Sequence, residues 1–106
     1  MIPEVDTKNS RAVTEFVQEK YARMFGPDKS PWLERVFKDV TALFEGEHPE
    51  YSRVNLKYHN YEHTLQATLC LVMMLDGRER TSAMPKLTAR QFELAVAAIL
   101  LHDSGY

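Results

Sequence analysis

The sequence predicts an all-α fold, and three observations carry that expectation. Apolar residues recur at helical spacing in four segments. Helix start and stop signals bracket those segments. No two-residue alternation of useful length occurs to suggest a strand. With 106 residues the chain has length for one domain, 1–106, and not for two. Its 44% apolar and 26% charged residues are those of an ordinary globular chain.

The first helix is expected over about Ser10–Phe25, where Val13, Phe16, Val17, Tyr21 and Met24 recur on one side. Gly26-Pro27 ends it, the pairing found just past helix termini. The second begins with Ser30 as N-cap and Pro31 at the first helical position, where the missing N–H costs nothing. Leu33, Val36, Phe37, Val40 and Phe44 form its apolar stripe, and Gly46 ends it.

Glu47–Lys57, with Pro49, is expected to be a polar, irregular connection. The third helix is expected from about His59 to Leu75, stopping at Asp76-Gly77. Arg78–Lys86, with Pro85, forms a second linker. Thr88-Ala89-Arg90-Gln91 then reads as a capping box that opens the fourth helix. The body of that helix, Phe92–Leu101, is apolar nearly all round after Glu93, which places it in the middle of a bundle. A helix of that kind left partly bare would pair with another copy, so a homo-oligomer through the fourth helix is expected.

Composition narrows function. The net charge of −2 carries no clustered basic face, so no nucleic-acid partner is expected. The longest apolar runs, Leu69–Leu75 and Ala95–Leu101, are seven residues each, and no membrane partner is expected. The acidic start, Met1–Asp6, has no apolar segment of a signal peptide. Cys70 is the single cysteine, which excludes an internal disulfide and suggests a cytoplasmic location. Within Leu69-Cys70-Leu71-Val72 it reads as a small buried hydrophobe rather than a nucleophile.

Chemistry concentrates around the histidines. His59 and His63 stand four apart in Tyr58-His59-Asn60-Tyr61-Glu62-His63, which puts both imidazoles on one helix face. On spacing alone that is more readily a solvated face than a site. His102-Asp103 is the more specific feature, because it directly follows the apolar Val96–Leu101. His102, three past Ile99, continues that helix's buried face. A carboxylate there is costly unless it is paired or bound to a metal. It can cap the helix or pair with an arginine; next to an imidazole it also suits a divalent transition ion. His48 lies in the polar connection and reads as a surface residue.

Taken together, YHNYEH and AVAAILLHDSGY, with 39 residues from His63 to His102, closely resemble the HD superfamily of metal-dependent phosphohydrolases. They look most like its cyclic-nucleotide phosphodiesterase branch, over Phe37–Tyr106. The resemblance implies an HD-like helical bundle and hydrolysis of a small-molecule phosphodiester or phosphomonoester, a nucleotide among the candidates. It implies that His63, His102 and Asp103 bind divalent metal (Mn, Zn, Fe, Ni or Mg), with Asp103 bridging two ions in the complete protein. His59 matches the histidine that donates a proton to the leaving oxygen, and Asn60 the motif asparagine that helps to fix the local backbone. The family takes a further aspartate from a later helix, whereas no acidic residue follows Asp103. The chain is therefore expected to be the N-terminal portion of an HD-type domain, truncated after the His-Asp helix. Two alternatives stay open: a non-catalytic HD module that binds metal or a partner protein, and a plain helical interaction domain.

Overall fold

The computed structural model describes residues 5–45 and 54–102, with side chains described for 5–44 and 61–102. It is all-helical in those residues: α1 is Ser10–Phe25, α2 Pro31–Glu45, α3 Val54–Arg80 and α4 Ala89–Leu101.

Local chemistry explains most of the boundaries. Asn9 caps α1, its side-chain oxygen accepting from the N–H groups of Arg11 (2.9 Å) and Ala12 (3.2 Å). Gly26 ends α1 at φ 132°, a backbone angle that L side chains rarely adopt, and its N–H reaches Ala22. Ser30 caps α2 as expected, its Oγ accepting from the Leu33 N–H at 3.1 Å. Both halves of the Thr88/Gln91 capping box are formed, at 3.1 and 3.0 Å.

α3 departs from its expected ends. It begins earlier, at Val54, and runs through Asp76-Gly77 to Arg80. A mid-helix glycine costs about 1 kcal/mol relative to alanine. Here long-range ion pairs override that local preference. Asp76 accepts from Arg80 one turn on (2.9 Å) and from Arg23 of α1, and Glu79 also takes Arg23 at 3.0 Å. A helix that stopped at Asp76 would forgo two of those three bonds.

The contacts show an up-down-up-down bundle. The first turns of α2 and α4 lie together: Ser30 Oγ donates to Glu93 at 2.6 Å, and the Arg90 guanidinium sits 4.8 Å over the Trp32 ring. The end of α1 joins them, with Tyr21 and Phe25 meeting Phe92 at ring-centroid distances of 5.8 and 5.7 Å. It also meets the end of α3 through Arg23. At the opposite end Phe44 of α2 stacks on Tyr61 of α3 at 4.6 Å, and the Tyr61 hydroxyl bonds Thr41. Between these ends lie Val13, Val17, Leu33, Phe37, Val40, Leu65, Val72, Phe92, Val96 and Leu100, all buried.

α4 does not sit in the middle of the bundle. Phe92, Val96, Ala97 and Leu100 are buried, while Leu94 is 50% and Leu101 40% exposed. The other three helices cover one face of it and leave Leu94 and Leu101 on the other side exposed.

The first connection is held by Gln18 of α1, which is fully buried. Its amide oxygen accepts from the Ser30 N–H at 2.8 Å, and its amide nitrogen donates to the Ser30 carbonyl at 2.7 Å. Gln18→Ala is expected to cost roughly 2–4 kcal/mol, from the unpaired backbone groups and the cavity left behind. Leu94→Ala, on the exposed face, should cost less than about 0.5 kcal/mol. Urea unfolding of the two variants checks this, and equal losses would refute it.

Asp76 adds a dependence on pH. Burial pushes its carboxyl up, but the hydrogen bonds from Arg80 and Arg23 together hold it below the ordinary aspartate range. A carboxyl depressed in the folded state stabilises above its unfolded pKa of about 3.9, and that stability is lost as pH falls further. The urea midpoint should therefore drop between pH 5 and about 2, and drop less in Asp76→Asn.

Candidate functional site

α3 and α4 run antiparallel, and this brings the two described site histidines to one end of the bundle. Asp76 and Phe92 lie at a common level, because Arg23 meets the first while its neighbours Tyr21 and Phe25 meet the second. From that level α3 runs back ~20 Å to His63 and α4 runs forward ~15 Å to His102, at about 1.5 Å per residue. The two histidines are thus less than about one helical turn apart in height. Both side chains are exposed. The His59 and Asn60 side chains, His48 and Asp103 lie outside the described residues. Among the described residues no group of three or more His, Cys, Asp or Glu is placed to hold a metal ion.

His102 stands one residue past the end of α4, at its C-cap. Its Nδ1 lies 2.6 Å from the carbonyl oxygen of Ile99. A carbonyl can only accept, so Nδ1 carries the proton, and in the neutral ring Nε2 is the lone-pair nitrogen. The bond satisfies a carbonyl that the helix end leaves unpaired. It also fixes ring orientation and tautomer as metal-ligating histidines require. The expectation that His102 continues the buried face is corrected: the helix stops at Leu101, and the imidazole turns back along its rim into solvent.

Cys70 is likewise exposed, against the expectation of burial. A seven-residue apolar run looks like core, yet successive helical residues turn by about 100°, so the run passes right round the helix. Leu69 and Val72 point inward; Cys70 and Met74, the latter 71% exposed, point out. His63, Cys70 and Met74 form one exposed stripe of α3, and Leu94, Ala98 and Leu101 form another on α4. No Asp, Glu, Lys or Arg occurs in 63–75 or in 94–102.

Two further features have no signal in the sequence. One is a groove of about 590 Å³ between α1 and α2, lined by Arg11, Glu34, Arg35 and Lys38 among others. Its cations are partly neutralised, since Arg11 donates to Glu34 at 2.6 Å, a bond that holds the Glu34 carboxyl below its ordinary range. The other is Thr64, next to His63. It is fully buried, and its hydroxyl has no hydrogen-bond partner among the described residues.

Comparison with family models, with curated proteins and with solved structures gives no match to this chain. No helix among the described residues is long and apolar enough to cross a membrane.

The exposure of Cys70 has a direct check. Ellman's reagent should titrate one thiol per folded chain within minutes, without denaturant. A thiol that reacts only on unfolding would restore the buried reading.

Proposed function

We propose that the chain is part of a metal-dependent phosphohydrolase of the HD type, acting on a small phosphate ester. The observation that supports this most is at His102. Its Nδ1–H is committed to the Ile99 carbonyl, so a metal bond from this ring, directly before Asp103 in sequence, would be made by Nε2. The order of the two motifs along the chain, and their position at one end of an antiparallel helix pair, support it further.

The donors suit the group. His63 and His102 supply borderline nitrogens and Asp103 a hard oxygen, a set that favours Mn, Fe, Ni or Zn, with Mg less well served. When bound, such ions neutralise phosphoryl charge and supply hydroxide at neutral pH. His59, four residues before His63, is the general acid: an imidazole can hold a proton for the departing alkoxide. Binding through imidazole and carboxylate donors competes with protons, so it should weaken in acid.

A second reading is a non-catalytic module that holds metal or a partner protein. The exposed, charge-free stripes beside His63 and His102 favour it.

Titration with Mn²⁺, alongside an aryl phosphodiester assay, tests the proposal. Weak binding is expected, since three protein ligands hold the ion, and His63→Ala or His102→Ala should weaken it at least about tenfold. Turnover should be slow and absent in His59→Ala. Metal binding without any turnover would select the module. No metal binding at all would end both metal readings.

A further inference from the structure

We infer that the outer face of the α3–α4 pair binds a second copy of this chain, in a two-fold dimer whose axis passes Ala98. The inference is independent of the metal reading above.

That face is apolar, and no helix covers it among the described residues. Leu94, Ala98 and Leu101 of α4 are exposed, as are Cys70 and Met74 of α3. Asp76 marks the flank of α3 toward α1, and Glu93 the flank of α4 toward α2. Ala67 and Leu71, like Ala95 and Ile99, lie on the opposite flanks, those that meet at the α3–α4 seam. These four are half-buried and join the two stripes into one surface.

Charge and symmetry select a second copy as the occupant. A two-fold axis sets nearby residues against their own copies, so a charge beside it would meet its like. Neither 63–75 nor 94–102 contains Asp, Glu, Lys or Arg, so self-pairing meets no such repulsion. The shape is also self-complementary. Along α4 the exposed residues run large, small, large: Leu94, Ala98, Leu101. An antiparallel copy crossing at Ala98 sets Leu94 beside Leu101 of the partner subunit, and the alanines let the helix axes approach to ~8 Å. The same axis suits α3. Cys70 is six residues back from Asp76 and Ala98 six on from Phe92, so both stand ~9 Å from the common level, in the same direction. The small residues of both stripes thus share one height, with Met74 level with Leu94.

Area sets the strength. Stripes ~10–16 Å long on neighbouring helices offer a few hundred Å² per copy, less than the ~800 Å² a side of a standard interface. The dimer is therefore reversible, with a dissociation constant of roughly 1–100 μM.

Sedimentation equilibrium and cysteine cross-linking test the inference. The mass should rise with concentration from 12.3 kDa toward twice that value. Ala98→Glu, which sets like charges against each other at the axis, should weaken association at least about tenfold with helix content unchanged. In a Cys70→Ser background, Ala98→Cys should be captured as a disulfide dimer under mild oxidation, because residues on the axis lie within bonding reach. Its rate should exceed about tenfold that of Glu19→Cys, on the exposed side of α1. A 12.3 kDa species at every concentration overturns the inference. A dimer that Ala98→Glu leaves intact, or in which Ala98→Cys cross-links no faster than Glu19→Cys, uses another face and overturns it too.

Discussion

Gln18 makes two bonds to one residue, and the bundle is organised around them. Its amide pairs with both backbone polar groups of Ser30, as another strand of backbone would. The same nitrogen reaches Glu34, and the Ser30 hydroxyl both donates to Glu93 and accepts from the Leu33 N–H. One buried side chain thereby fixes the turn after α1, starts α2 and reaches α4. In a low-dielectric setting each member strengthens its neighbours, and loss of any one strands several polar groups at once. That clasp sets where Phe37, Phe92 and Val96 meet, and so the angle at which α4 presents its far end.

The other end of the molecule is assembled differently. Phe44, Tyr61 and Leu65 supply apolar contact, and the bond between Tyr61 and Thr41 is a polar addition there. The candidate site lies at this end.

Much of the fold was legible because its signals are local. Asn9, Ser30 and Thr88 act on N–H groups within three residues, and Gly26 on its own φ, so α1, α2 and α4 can be read from short words. Asn9 carries the same signal in its residue type, one position before α1. The C-terminal end of α3 is not legible locally, because Glu79, past Gly77, has its partner on α1: Arg23 and Glu79 are 56 positions apart. The exposure of Cys70, Leu94 and Leu101 was illegible for a different reason. An apolar run states that burial is available, and only the packed neighbours decide which side receives it. For the site, His63 and His102 stood out by motif. The Ile99 carbonyl that sets the His102 tautomer, and the unpaired Thr64 hydroxyl, depend on rotamers that no spacing encodes.

The exposed flank of α3 has a consequence in redox chemistry. Met74 is 71% exposed, Met84 in the following connection is 77% exposed, and the Cys70 thiol stands one turn from Met74. Neither thioether belongs to the packed core. Peroxide can therefore convert both methionines to sulfoxides without unfolding the bundle, and the product is polar where the native surface is apolar. Oxidative ageing would accumulate on this flank first, altering its adhesiveness while leaving the helical framework in place.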